Sequence, residues 1–209
     1  MKKTLLGTLF LLFTFALSLP GFSQVSWGIK GGANVANFKS RDINYLGGNH
    51  NRLGYHAGLF AEITLSRKVF FQPSLLYSLK GWHSKPDAGY GAGRVSFDYI
   101  DLPLLAGYRL TDKLSLMAGP GLGYLIKARA IQEASVDITG QYKKFDVGIS
   151  GTASYSFTPR LGMQVSYSYG LRRIHTIGML EQNGNFRNVT RGTNRVLQVS
   201  AYYLIKKRG

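Results

Sequence analysis

The chain has 209 residues, 26 Lys and Arg against 10 Asp and Glu for a formal charge of +16, and no cysteine. That composition excludes disulfides, thiolate metal sites and a lipid-modified cysteine, and its positive excess points to an anionic neighbour. The basic residues are dispersed among strands and loops instead of gathered on a helix, so nucleic acid is not the expected partner.

At the N-terminus Lys2 and Lys3 precede an apolar run from Leu5 to Leu19, then Pro20 and the small residues Gly21 and Ser23. This is the layout of a secretory signal peptide covering residues 1–23, with cleavage leaving Gln24 first. No later apolar run is long enough for a membrane helix, so residues 24–209 are read as one domain of strands.

The first strand, residues 25–38, alternates Trp27, Ile29, Gly31, Ala33 and Val35 with Gly28, Lys30, Gly32 and Asn34. A polar loop follows over residues 39–53. The second strand, 54–66, sets Tyr55, Ala57, Leu59, Ala61 and Ile63 against His56, Gly58 and Glu62, and turns at Ser66-Arg67-Lys68 into a third, 69–82, with Lys80 on its polar side. After a Gly-rich loop, 83–93, the fourth strand opens with Val95, Phe97 and Tyr99 as its apolar set and continues with Ile100, Leu102 and Leu104. One residue is out of step, and a β-bulge near Tyr99 to Asp101 would place both Asp98 and Asp101 on the polar side. Thr111-Asp112 turns into a fifth strand ending near Lys127. A loop over 129–140 leads to a long hairpin in which Phe145 to Phe157 and Leu161 to Tyr169 alternate with serines around Thr158-Pro159-Arg160. A last loop, 172–193, and an eighth strand, 194–205, complete the chain.

Arms this long suit strands that cross a bilayer at a tilt, which need about 9 to 11 residues with one apolar face. The expected fold is all-β: an eight-stranded antiparallel up-and-down transmembrane β-barrel, with three short turns at one end, four longer loops at the other and both termini in the periplasm. A soluble barrel would need a polar outer face rich in Lys and Glu, and here the polar face is mainly Ser, Gly, Gln and Thr.

Three segments, Gly28-Ile29-Lys30-Gly31-Gly32-Ala33-Asn34, Tyr99-Ile100-Asp101-Leu102-Pro103-Leu104-Leu105 and Gly119-Pro120-Gly121-Leu122-Gly123-Tyr124-Leu125, give the chain a resemblance to the outer-membrane β-barrel proteins of Bacteroidetes that include the PorT-like group. The resemblance implies outer-membrane residence in a Gram-negative cell and no particular activity. Two departures are Asp101, where the family more often has Glu, and the end Lys206-Lys207-Arg208-Gly209, which lacks the terminal aromatic many such barrels present to the assembly machinery.

The candidate site is an interior charge cluster of Lys30, Glu62, Lys80, Asp98, Asp101, Lys127, Lys144 and Asp146, with Arg94 beside it, which must pair inside a narrow lumen. A second is a basic outer loop of Arg172, Arg173, Arg187 and Arg191, suited to lipid and lipopolysaccharide phosphates. His50, His56, His83 and His175 have no metal-ligand spacing and read as loop or rim residues. No catalytic set, cofactor or metal is expected. The reading is therefore a monomeric, non-enzymatic barrel with a side-chain-filled interior, assembled by the barrel machinery. A narrow porin-like channel and a lipid-modifying enzyme, which would set a His beside a Ser, are the alternatives.

Overall fold

The structure, a computed structural model, describes residues 25–39, 50–84, 93–131, 135–172, 175–180, 186–191 and 193–206. The strands are β1 Val25–Lys39, β2 His50–Thr64, β3 Val69–Ser84, β4 Gly93–Arg109, β5 Leu114–Ile131, β6 Ser135–Asp137, β7 Phe145–Ser156, β8 Leu161–Gly170, β9 His175–Leu180, β10 Phe186–Arg191 and β11 Thr193–Lys206. Eight of them (β1 to β5, β7, β8 and β11) pair antiparallel with their neighbours, and β11 closes on β1. The predicted eight-stranded barrel is present. The predicted signal peptide lies outside the described residues.

Turn chemistry explains the three tight connections. Ser66, Thr111 and Thr158 each accept, through the hydroxyl, the backbone N–H three residues on, at 3.1, 3.0 and 2.9 Å. The backbone repeats as well: the N–H groups of Leu65, Leu110 and Phe157 donate to the carbonyls of Val69, Leu114 and Leu161 at 2.9–3.0 Å. A hydroxyl at the same place in each turn holds the chain in a compact reversal without glycine.

Register fixes the barrel's shape. The hydrogen-bonded row through Asp146 runs Gly123, Asp101, Leu76, Gly58, Lys30, Tyr202, Gly162 and back to β7 at Ser156. The return is displaced by ten residues, 156 minus 146. A stagger of ten over eight strands implies a tilt of about 40° and a radius of about 8 Å. Such a lumen has room for side chains and little else. Close approach of neighbouring backbones demands glycine in places: a Cβ on Gly32 would run into the Val199 carbonyl and Ser200 Cα, and Gly81 has φ +143°.

The two faces separate cleanly. Outward positions between Trp27 and Val35, Leu53 and Ile63, Ile100 and Tyr108, and Phe145 and Tyr155 hold only aliphatic, aromatic or glycine residues. Ile29, Leu59, Leu75, Ile149, Val165 and Val199 on this face are exposed, whereas Asn34, His56, Gln72, Ser78 and Gln164 on the other are buried. Exposed aromatics gather at two levels, with Trp27, Tyr108, Tyr155 and Tyr203 toward the tight turns and Tyr55, Tyr124, Phe145 and Tyr169 toward the long loops. From Tyr155 to Phe145 the tilted strand rises about 25 Å, the height of an apolar band facing lipid. The side chain of the second tryptophan, Trp82, lies outside the described residues.

Two expectations are corrected. β4 has no bulge, since its register with β3 runs unbroken from Val69–Tyr108 to Ser84–Gly93. The irregularity is in β5, where Asp98 pairs with Lys127 but Tyr99 with Leu125, so Ile126 is the extra residue. Val95, Phe97 and Tyr99 consequently face inward, where they bury against Leu125, Ala128 and Tyr142. The loops are also less irregular than expected. β2 starts at His50 inside the predicted first loop, and β6 and the β9–β10 hairpin occupy two others.

Candidate functional site

The lumen is built in layers. At its long-loop mouth the connection from β5 to β7 folds back along the strand: Ile138 N–H donates to the Ala128 carbonyl (3.0 Å) and Thr139 Oγ1 accepts from Ala128 N–H (2.9 Å). Asp137 caps this turn through the Thr139 hydroxyl and N–H, which hold its carboxyl below the usual range. The turn delivers Tyr142 edge-on to Phe97, centroids 4.8 Å apart, and burial pushes its phenol up to about 12. Val95, Phe97, Tyr99, Leu125, Ala128 and Tyr142 thus form an apolar plug.

Below it lie the first charges. Lys80 Nζ donates to Asp101 Oδ1 at 2.8 Å and sits 4.6 Å from the Tyr99 ring centroid. Asp146 accepts from Asn194 Nδ2 at 2.8 Å. Ser150 and Ser168 share a hydrogen bond of 2.8 Å, and Thr152 donates to Ser166 at 2.9 Å. A chamber of about 70 Å³ lies among these groups and Lys30, room for about five waters.

Toward the short turns, Lys30 donates to Gln164 (3.3 Å), whose amide donates to Gln72 (3.4 Å). Phe60 packs edge-on to Tyr202, beside a cluster of Phe70, Leu105 and Met117. Arg109 bridges Glu62 at 2.5 Å with its guanidinium over Phe70, at the edge of an open vestibule of about 530 Å³.

The predicted interior cluster is therefore split. Lys30, Glu62, Lys80, Asp101 and Asp146 line the lumen. Asp98 does not: it faces outward beyond the loop-side aromatics, accepting from Tyr77 OH (2.7 Å) and Arg129 (2.6 Å). Because the extra residue in β5 turns Lys127 outward, that lysine is exposed, and so is Arg94 on the outer wall. Lys144 is an exposed rim residue just before β7. Of the basic loop, Arg172 is exposed and reaches the Phe145 carbonyl at 3.4 Å. Arg173 and the side chains of Arg187 and Arg191 fall outside the described residues, as do those of His50, His83 and His175.

The remaining histidine overturns the rim expectation. His56 is 2% exposed in the lumen, with Nδ1 2.5 Å from Asn34 Oδ1 and Nε2 2.7 Å from Ser200 Oγ. Asn34 gives its amide protons to the Tyr55 and Leu79 carbonyls (3.0 and 3.4 Å), and Gln198 also donates to its Oδ1 (3.1 Å). Asn34 Oδ1 must then accept from His56 Nδ1–H, and in the neutral imidazole Nε2 accepts from the Ser200 hydroxyl. The order serine, imidazole, amide has the connectivity of a nucleophilic triad. It lacks the rest of one. Neither hydrogen-bond partner of His56 is a carboxylate, the Ser200 backbone is paired on both sides, and Lys30 adds positive charge to the same lumen. The triad is a structural lock, missed in the sequence although His56 keeps the polar phase of β2. Replacing His56 by alanine takes the buried Ser200 hydroxyl's partner and leaves Asn34 Oδ1 with Gln198 alone, and a loss of about 1–3 kcal/mol in denaturant-dependent refolding is expected.

A family model described as "Outer membrane protein beta-barrel domain" matches residues 16–176. Among solved structures, Neisserial surface protein A matches with a TM-score of 0.54 at 13% identity, covering 86% of this chain and 97% of that one. Ail of Yersinia pestis in complex with the heparin analogue sucrose octasulfate gives 0.48 at 14% identity over 87% and 99%. OprG of Pseudomonas aeruginosa gives 0.46 at 14% over 87% and 96%. At 13% identity the likeness to Neisserial surface protein A speaks to the fold alone. No curated protein sequence matches significantly.

Proposed function

We propose, from the premise that this chain belongs to the outer membrane protein beta-barrel domain family, that it is a monomeric, non-enzymatic barrel of the outer membrane whose exposed loop-side surface does its work. The observation that carries this reading is the lumen. A radius of about 8 Å is filled by an apolar plug, two ion pairs and a lock of neutral hydrogen bonds, so neither a solute path nor a reaction centre is the natural use of the interior.

What remains for function is the rim. Arg94, Lys127, Lys143, Lys144 and Arg172 are exposed on the loop side, above an apolar band that ends in aromatics. In this reading they meet phosphate groups of lipid and lipopolysaccharide in the outer leaflet, and Arg173, Arg187 and Arg191 add to that surface. The tight turns and both ends of the barrel then face the periplasm, since exported barrels of this type keep short turns inside and longer loops outside. The signal peptide of residues 1–23 directs export, and the barrel machinery inserts the mature chain. The shared segments in the first, fourth and fifth strands support a place near the PorT-like proteins of Bacteroidetes.

A narrow channel is the second reading, favoured by the vestibule and the chamber behind it. Planar-bilayer recording of purified, refolded protein separates the two. We expect a silent membrane at all moderate voltages; stable, reproducible open events would defeat the closed-lumen reading. Unchanged lipid A in a deletion strain is the expected result for the lipid-modifying alternative, and an altered acylation pattern would revive it.

A further inference from the structure

We infer that the tight-turn end of the barrel is a lipid-contact surface on which Lys68, Lys113 and Arg160 each hold the head-group phosphate of an anionic glycerophospholipid. The three turns repeat one unit. In each, a hydroxyl residue is followed two positions on by a cation and three positions on by an aliphatic residue: Ser66, Lys68 and Val69; Thr111, Lys113 and Leu114; Thr158, Arg160 and Leu161. The aliphatic residue pairs with an aromatic one of the tight-turn level, Val69 with Tyr108, Leu114 with Tyr155 and Leu161 with Tyr203. The backbone N–H just after that aromatic, of Arg109, Ser156 or Leu204, then donates to the carbonyl of the cation at 2.8 Å in all three places.

This pairing fixes each cation one residue beyond the aromatic level, where the apolar band ends. Tyrosine rings at such a level lie among lipid head groups, so a cation one step further meets the phosphates. Lys68 shows the placement directly, with its ammonium 5.9 Å from the Tyr108 ring centroid on the outer face. All three cations are exposed, and among the described residues none is in an ion pair. Counter-charge at this end is scarce: Glu62 is taken by Arg109, which leaves Asp112 beside Lys113. The turn residues 66–68, 111–113 and 158–160 carry Arg67, Lys68, Lys113 and Arg160 against Asp112, four positive charges minus one negative, a net +3.

Their spacing selects a membrane surface over a single soluble anion. The turns lie between β2 and β3, β4 and β5, and β7 and β8, a quarter of the circumference apart. On a radius of about 8 Å, neighbouring cations are about 11 Å or more from each other, too far to converge on one phosphate. The fourth quarter, where β11 closes on β1, continues the pattern: Lys206 pairs with Trp27, and Lys207 and Arg208 follow in sequence. With the tight turns in the periplasm, as proposed above, the partner is the phospholipid of the inner leaflet; only that choice of leaflet rests on the orientation.

Quenching by brominated lipid tests one contact at a time. In a barrel carrying Trp27→Phe and Trp82→Phe, which has no other tryptophan, Tyr108→Trp puts a single reporter beside Lys68. In phosphatidylcholine vesicles, brominated phosphatidylglycerol should compete for that place about fivefold better than brominated phosphatidylcholine, the worth of one lysine near anionic lipid. Lys68→Gln should abolish the preference. A reporter made instead by Tyr124→Trp, on the loop side, should ignore Lys68→Gln; it reads the basic rim proposed above, so failure of either contact is seen separately. Equal quenching by both lipids at position 108, a preference there that survives Lys68→Gln, or a loss of equal size at position 124 would overturn the inference. Should the Tyr108→Trp barrel fail to insert, Tyr203→Trp with Arg160→Gln gives the same comparison at the third turn.

Discussion

Replacing Lys80 by methionine should destabilise the barrel by about 3–5 kcal/mol, the largest effect expected of any single lumen substitution. The change leaves Asp101, whose side chain is only 15% exposed, without the ammonium that now lies 2.8 Å away. It also removes the cation over Tyr99, where the charged layer meets the apolar plug. Taking out both partners, Lys80→Met with Asp101→Leu, should recover most of the loss, because the desolvation cost of both charges goes with them. Urea-dependent folding into lipid vesicles, followed by tryptophan fluorescence, measures the difference. Equal losses in the single and double variants would show that the pair does not act as a unit.

Val165→Arg should cost about 2–4 kcal/mol, the penalty for an arginine near the bilayer midplane. Val165 is exposed on β8 between the two aromatic levels, and Val199 of β11 is its register partner, with no polar group on the outer face there to receive a guanidinium. Beyond the apolar band an arginine already stands exposed at position 94, which marks the contrast in depth. A Val165→Arg barrel as stable as the wild type in the same vesicles would mean that this position does not meet hydrocarbon.

Much of the fold was legible because period two is simple to read when one face meets lipid and the other meets serine. The hairpin of β7 and β8 is the clearest case, since its apolar and polar sets agree at every position with the exposed and buried faces. The rule failed where the lumen itself turns apolar. At the long-loop mouth, Val95, Phe97 and Tyr99 are greasy because they plug the barrel, so equating apolar with outward shifted the phase by one residue and sent Asp98 to the wrong side. The break in register was real but lay on the partner strand. Ile126 and Lys127 both face out there, and a single sequence cannot say which of two paired strands carries the extra residue.

The interior was legible as a set of charges, not as partners. Arg109 keeps the inward phase of β4, yet its pairing with Glu62 joins residues 47 apart across β3. His56, Asn34 and Ser200 come together only because β2, β1 and β11 are adjacent after closure. Such contacts depend on the stagger of ten, a global quantity that no local pattern encodes.

The most direct measurement is the accessibility of single cysteines, free of background in a chain that has none. In the protein reconstituted in vesicles, nitroxides attached at positions 149, 165 and 199 should broaden with oxygen and ignore a water-soluble nickel chelate, while one at 166 should be shielded from both. Nickel-accessible labels at 149, 165 and 199 would contradict the account, because the face assigned to hydrocarbon would then stand in water.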